Sequence, residues 1–265
     1  LSNKKVFEGS KYRSLIRQLN LHQRKYNNID FNKIILSDII PDFEPDSRKN
    51  IFLHIQNIFY SIRYLLYICI WLFLYKKVIY FKKNNNCNIW FILPPSNRDV
   101  YLNEIKKFNF YNIKPTIISW RKEFNGINIF KNIRRVFSFF VLIKKTKLKF
   151  LNLEKLIYTN FVIFKSMDLL DSFKMIDQLP KAIYSQKDYQ RYENALIQIC
   201  NLYSVETFTS QHSVPHVFSD KNERVGNIMV TNNVSKNFLI WGHFAKNIYR
   251  KYNPSSSFFT IKAHF

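Results

Sequence analysis

From Asn88 onward, short unbroken apolar runs alternate with amphipathic stretches several turns long. Asn88-Ile-Trp-Phe-Ile-Leu93, stopped by Pro94-Pro95, has the length and content of a buried strand. Lys114-Pro-Thr-Ile-Ile-Ser-Trp120 and Lys181-Ala-Ile-Tyr-Ser185 repeat that pattern. Between them the spacing predicts a helix over Arg98–Phe108 capped by Asn97, and a basic amphipathic helix over Ile127–Lys145. A further helix is expected over Leu151–Ile176, although Val162-Ile163-Phe164 is equally strand-like. Asp188–Tyr203 sets Tyr192, Leu196, Ile199 and Cys200 on one helical face. Strands alternating with helices predict βαβ units. The expected class is therefore α/β, a Rossmann-like, mainly parallel sheet flanked by helices. There is no internal repeat.

Val205–Lys246 carries the strongest functional signal. The run Val205, Thr207, Phe208, Thr209 ends in Gln211-His212, two side chains able to exchange hydrogen bonds or protons. A second apolar run, Asn237–Trp241, ends at Gly242 and passes into the helical pattern HFAKNIYRKY. An open α/β sheet presents a site at its carboxyl edge through strands that end this way. A strand stopped for structural reasons more often finishes in Gly, Asn or Asp. The alternative for His212 is a hydrogen-bonded loop histidine.

The amino-terminal part is less regular. Residues 1–50 are a polar, basic extension with a short helix near Tyr12–Gln23 followed by loop. Residues 51–83 form an aromatic helical unit. Its uninterrupted apolar core, Tyr64–Tyr75, is shorter than the roughly 20 residues of a spanning helix, and Arg63 and Lys76-Lys77 flank it. Three readings stand open: a spanning helix, a helix lying on a membrane surface with its aromatic side down, and a buried helix of the α/β domain. Lys82–Asn86 reads as a solvated turn, and residues 84–265 form the Rossmann-like domain.

Composition narrows the chemistry. With 26 Phe and 16 Tyr against 4 Gly, the chain has the look of an AT-rich genome and no room for a Gly-rich phosphate loop. The net charge of +23, from 41 Lys+Arg against 18 Asp+Glu, attracts anionic surfaces. The cations are dispersed and no recognised nucleic-acid motif accompanies them, which argues against nucleic acid as the partner. Cys69, Cys87 and Cys200 are odd in number and lack CxxC spacing, so a reducing compartment is expected and a disulfide framework is not. The 6 histidines form no HxxxH or HExxH pair, so no metal site is expected. No stretch has the build of a cleavable leader.

The pieces KAIYS, YENALIQIC, TFTSQHS and KNFLIWGHFAK, spanning Lys181–Lys246, resemble bacterial surface-polysaccharide glycosyltransferases of the two-Rossmann-domain (GT-B) type. The related CDP-glycerol glycerophosphotransferases share the pattern. In these enzymes a strand ending in Gln-His-Gly is followed by a variable loop, then by a strand ending in Trp-Gly. The present chain has Ser213 in place of that Gly, and it ends at Phe265 near the strand Phe258–Lys262. That strand resembles the crossing into the carboxyl-terminal donor domain. The resemblance thus implies an amino-terminal, acceptor-side GT-B domain without the donor half, and leaves open a fragment, a natural truncation and a chain active alone.

It also implies roles. His212 is the catalytic base and Gln211 orients it or binds a sugar hydroxyl. Ser213, His216, Arg224, Trp241, Gly242 and His243 are the substrate-binding candidates, with Arg224 placed to meet phosphate. The plainer alternatives are an exposed loop for His216 and His243, solvation for Arg224, and packing for Trp241. No bound cofactor is expected, because a nucleotide-sugar or CDP-activated donor enters as substrate. No Asp-x-Asp motif is visible, which agrees with metal-independent transfer. The acceptor would be polysaccharide or lipid-linked, in capsule or lipooligosaccharide synthesis at the inner face of the bacterial inner membrane. Each cation near an anionic bilayer contributes about 1 kcal/mol, so Lys131–Lys149 together with 51–80 would hold the enzyme there. The rival functions are a basic nucleic-acid-binding protein and a membrane-anchored non-enzymatic protein.

Overall fold

The structure, a computed structural model, describes residues 25–26, 28–39, 51–82, 89–92, 115–124, 126, 129–145, 153–211, 230 and 232–261. In chain order these form β1 (Lys25–Tyr26), β2 (Ile29–Asp30), α1 (Phe31–Ile39), α2 (Ile51–Leu74), β3 (Tyr75–Lys82) and β4 (Ile89–Ile92). There follow β5 (Pro115–Phe124), α3 (Ile129–Lys145), α4 (Leu153–Lys174), β6 (Ala182–Ser185) and α5 (Arg191–Leu202). The last elements are β7 (Glu206–Ser210), β8 (Asn237–Ile240), α6 (Gly242–Tyr252) and β9 (Ser257–Thr260).

β1 and β2 make a small ladder. The other strands form one 7-stranded sheet in the order β3-β5-β4-β6-β7-β8-β9. β3 runs antiparallel to β5, and the remaining 6 strands are parallel. The chain steps outward from β4 to β5, then returns past β4 to β6 and advances to β9. The direction of winding therefore reverses between β4 and β6, where a doubly wound sheet opens a crevice at its carboxyl ends. The expected α/β, Rossmann-like form is present.

Parallel register puts Trp90, Ile92, Ile118 and Ile183 on one face. Helices α1, α4 and α5 cover that face, with Leu170, Leu196 and Ile199 in the same core. Full burial of each such side chain stabilises the fold by roughly 1.5–3 kcal/mol. A second core joins α2, α3 and α4 through Ile68, Leu72, Phe139, Ile157 and Phe164. A third packs α6 on β8 through Phe238, Ile240, Ala245 and Tyr249.

β3 is an edge strand, and α4 closes its outer side with three side chains spaced at i, i+3 and i+7. Lys165 Nζ donates to Tyr75 O (2.9 Å), Lys77 N donates to Asp168 Oδ2 (3.2 Å), and Ile79 N donates to Ser172 Oγ (3.0 Å). Residues 75, 77 and 79 alternate along the strand, so these are the backbone groups that β5 leaves unpaired. A helix thus occupies the place a further strand would take. Asp168 also binds Arg135 of α3 and lies 3.3 Å from Lys165 Nζ. Arg135 Nε reaches Leu72 O (3.1 Å) and so ties α2 into the same cluster. Burial lowers the pKa of Lys165 to about 8, with Asp168 opposing the shift.

Three expectations are corrected. The helix expected through residue 83 stops at Leu74, because β5 pairs with Tyr75–Lys82 from Tyr75↔Phe124 to Lys82↔Ile117. For the same reason β5 runs past Trp120 to Phe124. Residues 1–50 are not only an extension, since Ile29, Phe31, Ile34 and Ile35 are buried in the main core. The helices expected over 12–23 and 98–108 lie outside the described residues. Among the described residues, no helix is long and apolar enough to cross a membrane.

Candidate functional site

Parallel strands bring their carboxyl ends to one rim. β7 and β8 are neighbours, with Phe208↔Asn237 and Ser210↔Leu239 in register, so the two strand ends that carry the sequence signal stand side by side. Gln211 fastens them. Its N–H donates to Leu239 O (2.8 Å), and its side-chain Oε1 accepts from Trp241 N (2.8 Å). At 3% exposure the Gln211 side chain is buried, with its carbonyl oxygen committed to the backbone of the next strand end.

Trp241 is half-buried and takes the N-cap position of α6 without a side-chain cap bond. Gly242 follows at φ +83°, a conformation L side chains rarely adopt, which accounts for glycine at this sharp strand-to-helix turn. Nothing lies within 4 Å of where a Cβ would stand, so the backbone constraint and not crowding selects it. His243 is exposed in the first turn of α6. The N–H groups of that turn lie at the positive end of the helix dipole. Gln211, Trp241, Gly242 and His243 thus share the rim, whereas His212, Ser213, His216 and Arg224 lie outside the described residues.

Two further acids sit beside the switch point, at the turn after β6. Glu193 Oε2 accepts from Ser185 Oγ (2.5 Å) and from Lys187 N (3.1 Å). Asp188 Oδ2 accepts from Val234 N (3.1 Å) and Ser235 N (2.9 Å). Asp188 is fully buried. Burial pushes both carboxyls up from their ordinary values, against the pull of the hydrogen bonds they accept. The neighbouring Tyr189 phenol is pushed up to about 12 by burial and then by the two carboxylates.

Asparagines complete the network. Asn194 Nδ2 donates to Asp188 O (2.7 Å) and Asn232 O (3.1 Å). Asn232 Nδ2 donates to Tyr189 O (2.8 Å) and Lys33 O (2.7 Å). These bonds hold the segment before β8 against α5 and α1. Chemically, a buried carboxyl raised toward neutrality can give or take a proton. Structurally, the same pair closes the β6–α5 turn.

Sequence reasoning missed Asp188 and Glu193. The one local signal is position, since Glu193 stands in the first turn of α5, where an acid normally serves the helix end. Among the described residues, no group of three or more His, Cys, Asp or Glu is arranged to hold a metal ion.

Comparison with protein families, with curated proteins and with solved structures finds no match for this chain.

Proposed function

We propose that this chain is the acceptor-side domain of a GT-B-type transferase that moves a sugar or glycerophosphate from a nucleotide-activated donor onto a surface polysaccharide or its lipid-linked precursor. One observation carries the reading. The end of β7, which leads into His212, lies against the end of β8, which turns through Gly242 into α6. His212 would take the proton from the acceptor hydroxyl, and the exposed first turn of α6 with His243 would face the donor phosphates. The donor nucleotide would bind in a second Rossmann domain, and the enzyme would work at the inner face of the bacterial inner membrane.

The test is His212→Ala in the cell that makes the protein, with surface polysaccharide measured at unchanged protein level. Loss of a general base should slow transfer by roughly 10²–10⁴-fold, and the polymer should disappear from the surface. Polysaccharide at the wild-type amount overturns the reading.

A further inference from the structure

Helices α2 and α3 pack together through Ile68, Leu72 and Phe139, and each turns a second apolar stripe outward. On α2 the stripe is Ile62, Leu66 and Ile70, one per turn, at 50, 60 and 59% exposure. On α3 it is Phe130, Ile133 and Phe137, at 87, 55 and 67%. Between the helices runs an open groove of about 540 Å³, lined by Cys69, Phe73, Val136, Phe137 and Phe140 among others. Contiguous apolar surface of this kind marks an interaction site.

Charge identifies what covers it. Neither helix contains an Asp or Glu. At 100° per residue around α3, the buried side carries Asn132 and Phe139, the outward side Ile133, Phe137 and Phe130, and Arg134 stands at the margin of that stripe. Arg63 is exposed within the α2 stripe itself, where an arginine stem can lie along apolar surface while its guanidinium reaches outward. An apolar stripe on two helices whose Lys and Arg side chains meet no Asp or Glu of their own is complementary to an anionic, amphiphilic surface.

We propose that this face docks on an anionic lipid bilayer. The two helices lie in the plane of the interface, with their aromatic and aliphatic stripes at the headgroup–acyl boundary and Arg63 and Arg134 at phosphate level. Such docking needs no spanning helix. A second copy of this chain fits less well, because a two-fold contact would set Arg63 and Arg134 against their own kind. The docking stands on the two helices and not on the transferase reading, to which it adds the surface where a lipid-linked acceptor would be met.

The experiment is co-sedimentation of the full chain with phosphatidylcholine vesicles, with and without phosphatidylglycerol. Two variants accompany it, Phe130→Ser/Phe137→Ser and Arg63→Gln/Arg134→Gln, each checked for fold by circular dichroism. The wild-type chain should bind the anionic vesicles, release at high salt, and bind the neutral vesicles far more weakly. Removing two cations should weaken binding roughly 30-fold, and removing the two rings should weaken it at least as much. Absence of binding to anionic vesicles overturns the proposal, as does binding that neither variant weakens. So does a dimer that the ring variant dissociates while vesicles leave it intact.

Discussion

Glu193 stands where an amphipathic helix ordinarily shows water a carboxylate, yet it is buried, as is Asp188 in the turn before. Burial raises both above their ordinary values of 4.5 and 3.8. A raised folded-state pKa means that the fold holds the proton more tightly than the unfolded chain does. The resulting stability is complete below those ordinary values and is lost as pH climbs through the raised ones. Urea midpoints should therefore fall in the wild type as pH rises above 4.5, and Glu193→Gln should flatten that fall. A slope untouched by the substitution would show that Glu193 does not titrate in this range. Lys77 carries the opposite sign. Burial, reinforced by Lys165, lowers it to about 7 from 10.5, and its Nζ lies 3.5 Å from the centre of the Tyr192 ring. The depressed value costs nothing above 10.5 and its full amount below about 7. Lys77→Met should be more stable than wild type at pH 6, with the gap closing toward pH 10. Equal midpoints at both pH values would refute this.

At the scale of elements, α4 is both a core helix and the cover of an edge strand. Ser172→Ala leaves the Ile79 N–H without its acceptor and should cost roughly 1–3 kcal/mol. Asp168→Ala leaves Arg135 and Lys165 facing each other without their shared anion and should cost roughly 3–5 kcal/mol. Urea unfolding reads both. Amide exchange at Ile79 should quicken in the serine variant before that of β6, the interior strand, and uniform quickening would contradict the edge cover. The strands Ile89–Ile92, Ala182–Ser185 and Asn237–Ile240 were legible in the sequence because each is a compact apolar run with its own stop. β3 was not, since Leu72-Phe-Leu-Tyr-Lys-Lys-Val-Ile-Tyr80 continues the aromatic run of α2 with no Gly or Pro to break it. Its pairing partner lies some forty residues along the chain. The placing of Gln211 beside Trp241 was likewise legible from two run ends. The burial of Asp188 was not, because the groups that bury it, Val234 and Ser235, arrive only through the fold.

For the whole molecule, one helix belongs to two cores. α4 gives Leu169, Leu170 and Phe173 to the core under the sheet, and Ile157 and Phe164 to the core it shares with α2 and α3. Each core has a tryptophan reporter, Trp90 edge-on to Phe173 within the first and Trp71 tilted against Phe161, which packs on the second. The shared helix predicts one cooperative unfolding transition. Phe164→Ala, although it sits in the helical core, should lower the stability of both by roughly 3–5 kcal/mol. Single-tryptophan versions of the protein check this, and separate midpoints for Trp71 and Trp90 would show two independent units.

A sheet margin guarded by side chains is guarded one codon at a time. Another strand laid along β3 would protect it whatever residues that strand carried, but here protection rests on a lysine, an aspartate and a serine. Loss of the serine alone would bare a template on which a neighbouring molecule can lay down its own backbone. The first visible symptom would then be turbidity in a concentrated solution of molecules that are still correctly built.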